Sequence, residues 1–145
     1  MRALLDTNVV LRNANMLDPL YPRVNQALRK LAADGWDLCI APQNVVEFLV
    51  VATRPVAVNG FGLTSDEARQ EIDVVMNSYT VLPDPPDLLQ RWLDLCTRYQ
   101  ARGRQAHDAR LVAFMQGHGI AHLLTLNAAD FVRYADVVCP PLTGP

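Results

Sequence analysis

The chain has 145 residues, of which half are hydrophobic and 19% charged, with a formal net charge of −2. That size suits one domain over 1–145 with a real core, and the composition excludes a disordered chain. The charge excludes overall basic character, so any nucleic-acid contact has to use a local patch.

Residues 2–5 are short and largely apolar and stop at Asp6-Thr7-Asn8, which predicts a buried strand carrying Asp6 to the end of a sheet. An ionised carboxylate there is costly unless it is paired, hydrogen-bonded or bound to a cation. Equally, Asp6 reads as a turn cap with Thr7 and Asn8. A polar segment through Asn13, Asn15 and Asp18-Pro19 follows, and Pro22 suits the first turn of a helix. Val24, Leu28, Leu31 and Ala32 repeat at helical spacing until Gly35. Residues 37–41 read as a second buried strand, and a strand–helix–strand unit favours a parallel crossover.

Pro42 opens a helix running to about Thr53, with a buried stripe of Val46, Leu49 and Val50 and a single acid, Glu47. Residues 56–63 form a loop with two glycines, long enough to be functional. Thr64 to Glu67 is a capping-box pattern, and the helix it opens carries Ala68, Ile72, Val75 and Met76. Residues 79–82 read as a third strand. A stiff connector, Pro83-Asp-Pro-Pro86, leads to a helix with Leu89, Trp92, Leu93, Cys96 and Tyr99 on one face. Gly103 breaks it inside the basic segment 102–105. A further helix over about 106–116 has Leu111, Val112, Phe114 and Met115 apolar, and Gly117 and Gly119 end it. Residues 120–126 read as a fourth strand, Asn127 to Phe131 follow directly, and 135–139 suggest a short edge strand. The proline-rich tail has little to hold it in place. Strands alternating with helices predict an α/β fold: a three-layer α/β/α sandwich around a mostly parallel four- to five-stranded sheet.

Cys39, Cys96 and Cys139 are odd in number and lack CxxC spacing, so they read as reduced core residues rather than a zinc site or disulfide frame. His107, His118 and His122 show no ligand or triad spacing and read as ordinary polar residues. No signal-peptide pattern opens the sequence, and no apolar run approaches the ~20 residues of a membrane span. The expectation is a cytoplasmic protein away from any membrane.

Ligands of such sheets sit outside the carboxyl ends of the strands. Asp6 follows the first strand, Glu47 lies on the helix leaving the second, and Asn127 and Asp130 follow the fourth. Asp108 joins them if its helix starts on the same side after Gly103. Carboxylates gathered at one rim repel one another unless a divalent cation sits between them. Oxygen-only ligation points to Mg²⁺ or Mn²⁺ rather than Zn²⁺. Each acid also has a local reading: Glu47 on an outer helix face, Asp108 as a helix N-cap, and Asn127 with Asp130 as a reciprocal cap.

Leu-Leu-Asp6-Thr7-Asn8, the Pro42-Gln43 helix start leading to Glu47, His107-Asp108-Ala-Arg-Leu-Val-Ala113 and Leu124-Thr-Leu-Asn127-Ala-Ala-Asp130-Phe131 together resemble PIN-domain ribonucleases. The resemblance spans the chain in the family's order, and its length looks like the VapC-type toxins of toxin–antitoxin modules. It implies Asp6, Glu47 and Asp108 as metal-site carboxylates and Asn8 as an orienting residue beside the metal. The family's fourth acid usually stands at about Asn127, an amide here. Either Asp130 takes that role, or Asn127 binds through its carbonyl or a water. The resemblance further implies Mg²⁺- or Mn²⁺-dependent hydrolysis of RNA phosphodiesters, leaving a 5′-phosphate and a 3′-hydroxyl. It also implies a homodimer and a cognate antitoxin covering the acidic groove. Arg12, Arg54, Arg102, Arg104 and Arg110 are candidate RNA contacts near the rim.

Two other readings compete. One is a PIN-like RNA-binding module with weak or no nuclease activity, suggested by Asn127. The other is a phosphoryl-transfer domain with Asp6 as nucleophile. That chemistry expects a second acid close to the nucleophile or a late lysine, and no lysine follows Lys30.

Overall fold

Strand β1 (Arg2–Leu5) has three fully buried residues. Strand geometry sends alternate side chains to opposite faces. Leu4 therefore enters the core on one side of the sheet, and Ala3 and Leu5 enter the core on the other. A strand buried on both faces must be central and covered by two layers. The sheet meets that demand. Its order is β3 (Thr80–Val81), β2 (Asp37–Ile40), β1, β4 (His122–Leu124), and every pairing is parallel. Leu4 stands opposite Cys39 on one side and Leu123 on the other. The computed structural model describes residues 1–142.

Ala3, Leu5, Ile40 and Leu124 pack under α1 (Thr7–Asn13), α2 (Tyr21–Ala33), α3 (Pro42–Thr53) and α4 (Ser65–Ser78). Leu4, Cys39 and Leu123 pack under α5 (Leu88–Tyr99) and α6 (Gln105–His118). The chain thus forms the expected three-layer sandwich, with an all-parallel sheet of four strands. The edge strand expected at 135–139 reduces to a single parallel bridge between His122 and Val138. No helix of the described residues is long and apolar enough to cross a membrane. Cys39 is buried, which pushes its thiol up to about 11 and suits the expected inert core role.

Five local expectations are corrected. The segment directly after Asp6, read as polar and given no element, is α1. Its side chains Val9 and Val10 are buried, and Asp6 caps it by accepting a hydrogen bond from Thr7 N at 2.8 Å. Helix α3 does not bury Val46, Leu49 and Val50, which are 63%, 39% and 51% exposed. It buries Asn44, Phe48 and Ala52 instead, because Asn44 Nδ2 donates to Thr7 Oγ1 and Asn44 Oδ1 accepts from Ala41 N. A helix apolar nearly all round has no phase of its own, and this buried amide sets it. Helix α5 buries Leu88 and Leu95 and leaves Leu89 and Leu93 exposed, turned by a 2.7 Å bond from Trp92 Nε1 to Ala106 O. Met76, on the predicted face of α4, is also exposed. The tail is held as far as Leu142, which is buried against the α1–α4 side, and 143–145 lie outside the described residues.

The glycine-bearing loop after α3 contains a short 3-10 turn, Val56–Val58, and folds back on the end of the helix. Gly62 N donates to Arg54 O at 2.8 Å. A Cβ on Gly60 would stand 1.9 Å from that same carbonyl oxygen. Backbone cannot yield as a flexible side chain would. Gly60→Ala is therefore expected to destabilise the fold by about 1–3 kcal/mol, read as a lower denaturant midpoint at unchanged slope.

Candidate active site

The site begins with the strand order. Parallel strands β1, β2 and β4 end on one edge, and α1 and α3 leave from it. Asp6, immediately after β1, is buried and doubly held. Its Oδ1 accepts from Thr7 N and its Oδ2 accepts from Thr125 Oγ1 at 2.8 Å, across to the residue after β4. Both readings of Asp6 hold at once: it caps a helix and presents a carboxylate to the rim. Burial raises its pKa above the ordinary value and the nearby Asp130 charge adds to this, while the bonds from Thr125 and Thr7 act against it.

Glu47 faces inward on α3, not outward. Gln43 Nε2 donates to Glu47 Oε1 and to His107 O, both at 2.9 Å, so this amide ties the carboxylate to the start of α6. Burial raises the Glu47 pKa and Asp6 adds to it, with Gln43 opposing. Asp108 lies in the first turn of α6, whose N-cap position is Arg104, so the N-cap reading of Asp108 gives way. Its carboxyl is pushed up to about 6, by burial first and then by Asp6 and Asp130, with Arg104 opposing and Glu47 adding.

Asp6, Glu47, Asp108, Asn127 and Asp130 line one cleft of about 540 Å³. Asn127 does not cap the 3-10 turn Ala128–Phe131 with its side chain, so the reciprocal-cap reading fails. Asn8 also lines the cleft, and its Oδ1 accepts from Leu126 N at 3.4 Å, which braces the rim after β4. Of the arginines singled out, Arg54 and Arg104 line this cleft. Arg102 lines a neighbouring one. Arg12 is paired with Asp18 at 2.8 Å. Arg110 is fixed between Gln43 Oε1 and Asp84, clamping α6 to α3 and to the segment before α5. Thr125, Gln43 and His107 stand inside the stretches quoted from the sequence, where no site role was given to them. His107, next to Asp108, stands on the cleft wall.

As the side chains stand, no group of three or more His, Cys, Asp and Glu among the described residues is placed to enclose a metal ion. Mg²⁺ keeps most of its waters and takes one or two carboxylates directly, so a site for it does not need three protein ligands. The donor set agrees with that ion. Its oxygens are hard, burial and the neighbouring acids raise the Asp108 pKa, and no thiol lines the cleft.

No protein-family model matches the sequence, and no curated protein matches it. Solved structures do match in fold. A chain of VapBC2 from Rickettsia felis, bound to a fragment of promoter DNA, superposes with a TM-score of 0.74 at 14% identity, covering 97% of this chain and 98% of that one. A chain of a toxin–antitoxin complex from Klebsiella pneumoniae gives 0.66 at 22% identity, covering 96% and 98%. The Mycobacterium tuberculosis toxin VapC20, which cleaves the sarcin–ricin loop, gives 0.67 at 15% identity, covering 95% and 99%. At such identities the likeness is one of fold, and the chain has the PIN-like fold of these toxin–antitoxin proteins.

Proposed function

We propose that the chain is a Mg²⁺- or Mn²⁺-dependent ribonuclease and the toxin partner of a cognate antitoxin. The observation that carries this reading is the gathering of Asp6, Glu47, Asp108 and Asp130 around one cleft at the carboxyl edge of a parallel sheet. A stable fold has no use for Asp6, Glu47 and Asp108 held where burial and neighbouring acids disfavour their charge. A cation-dependent reaction has. The fold shared with a toxin that cleaves the sarcin–ricin loop adds support.

Asp6 and Asp108 would be the principal metal carboxylates, with Glu47 and Asp130 completing the rim and Asn8 and Asn127 at its edge. Bound there, the cation supplies charge stabilisation at phosphorus during in-line displacement and activates water as the nucleophile. The chain's own residues do the positioning. Thr7 and Thr125 fix the Asp6 carboxylate, and Gln43 fixes that of Glu47. Arg54 and Arg104 offer guanidinium groups to the RNA backbone beside the acids. Leu11, Val46 and Val50 form an apolar wall of the same cleft. Exposed Val46, Leu49 and Val50 give an antitoxin segment an apolar surface beside the acids. A homodimer in the cytoplasm completes the proposal.

The deciding assay is cleavage of a labelled, structured RNA pool by purified, antitoxin-free protein in Mg²⁺, Mn²⁺ or EDTA. Outer partners of metal ligands typically cost 10- to 100-fold when removed. Asp6→Ala and Asp108→Ala are therefore expected to lower the rate by more than about 100-fold. Cleavage that survives Asp6→Ala ends the proposal. RNA bound but left intact by folded wild type points instead to the RNA-binding module. Asn127→Asp is expected to tighten Mn²⁺ binding, since it restores a carboxylate at the rim.

A pH dependence also follows. Asp108 titrates at about 6 in the fold against an ordinary 3.8, so between those values the folded state holds more protons than the unfolded one. Stability of the metal-free protein therefore falls as pH rises through about 6. In EDTA, the melting temperature is expected to be higher at about pH 5 than at about pH 7.5. Asp108→Asn is expected to shrink that difference, and Mg²⁺ to raise the melting temperature at the higher pH. Calorimetric melts of both proteins read all three.

A further inference from the structure

Beside the acidic cleft lies a second one of about 470 Å³, lined by Arg102, Arg104, Gln105 and Arg133 and, on its inner wall, by Asp108 and Asp130. Arg104 lines both clefts, and its charge opposes the raised pKa values of Asp6 and Asp108. The α5–α6 connection that carries the first two arginines is a closed turn. Gln105 Oε1 accepts from Arg102 N and Gln105 N donates to Arg102 O, both at 3.0 Å, with Gly103 at φ +55 between them. Arg133 arrives from the segment after the 3-10 turn Ala128–Phe131, and its Nη1 donates to Tyr99 O at 3.1 Å.

The chain carries more acid than base, yet its six ion pairs among the described residues use none of these three guanidiniums. Like charges gathered by a closed turn and a carbonyl, with no acid at ion-pair distance, suit an anion from outside. Arg recognises phosphate with a forked, bidentate geometry.

We propose that this second cleft is a subsite for the backbone phosphate of single-stranded RNA next to the scissile position, with the strand crossing Arg104 and lying against Arg102 and Arg133. The place beside a scissile bond rests on the ribonuclease reading. The phosphate subsite itself does not depend on cleavage, and the test separates the two. Arg133 joins the candidate contacts, and Arg12 and Arg110 are each held by an acid of the chain itself.

The experiment measures binding of a labelled single-stranded RNA oligonucleotide, in EDTA so that no cleavage occurs, at salt concentrations from about 50 to 200 mM. Arg102→Ala and Arg133→Ala are each expected to weaken binding by about 3- to 10-fold. Each should also reduce the slope of log affinity against log salt by about 0.7, the value for one lost phosphate contact on a single strand. Arg133→Lys, which keeps the charge, should keep most of the slope. Arg29→Ala, an exposed cation on α2, should change neither. In Mg²⁺, KM should rise for the two alanine variants while kcat stays within about twofold, since neither residue touches the acidic cleft. Wild-type affinity and slope in both alanine variants would overturn the subsite, as would an equal loss in Arg29→Ala or no RNA binding by wild type. RNA binding that behaves as expected without any cleavage would keep the subsite and remove the nuclease.

Discussion

A carboxylate buried at the end of a central strand needs donors, and Asp6 has two of them, one local and one distant. Thr7 N, one residue on, satisfies Oδ1 and starts α1. Thr125, beyond β4, satisfies Oδ2 with its hydroxyl. The second bond requires β4 to lie beside β1 in the register that sets Leu5 against Leu124, and Asp6 N donates to Leu124 O at 2.9 Å in the same register. Thr7 in turn accepts from Asn44, which fixes the rotation of α3 and so turns Glu47 inward. Much of the rim's geometry descends from the solvation of this one side chain. Both donors are neutral, so they hold the carboxylate without cancelling its charge, and its field reaches the open cleft.

The order of elements and the principal acids were legible because each is written locally. A short apolar run that stops at an acid reads as a strand end, and a periodic helix reads as a helix. Asp6, Glu47 and Asp130 could thus be placed on one edge from topology, and Asp108 on the condition that its helix starts there; all four line one cleft. What was illegible lay in contacts between distant parts of the chain. Helix α1 is seven residues long and rich in β-branched side chains, so its stability comes from burying Val9 and Val10 rather than from propensity. The phase of α3 is decided by Asn44 meeting Thr7, 37 positions away. Arg110 looked like an RNA contact on sequence, and its use as a clamp needs Gln43 and Asp84 beside it. The holding roles of Thr125 and Gln43, and the place of Arg133, depend on partners that sequence spacing does not reveal.

Charge is sorted in this small domain rather than mixed. Surface pairs such as Arg69 with Asp73 and Arg91 with Asp87 sit one helical turn apart and contribute little to stability. Around the two clefts the sorting is different. Acids face acids across the first, and arginines gather along the outer side of the second, with Arg104 between them. The intramolecular pairing that would relieve both groups is not made. Arg104, the one cation on the wall the clefts share, opposes the raised pKa values of two acids without forming an ion pair with either.

The bond from Thr125 to Asp6 joins residues 119 positions apart. A chain synthesised from its N-terminus makes α1, β2 and α3 long before β4 exists. Until residues 122–125 emerge, β1 has only one of its two neighbours, and Asp6 lacks the hydroxyl that holds its outer oxygen. The acidic cleft also lacks the wall that carries Asn127 and Asp130. In order of synthesis, the residues that complete the rim therefore come last.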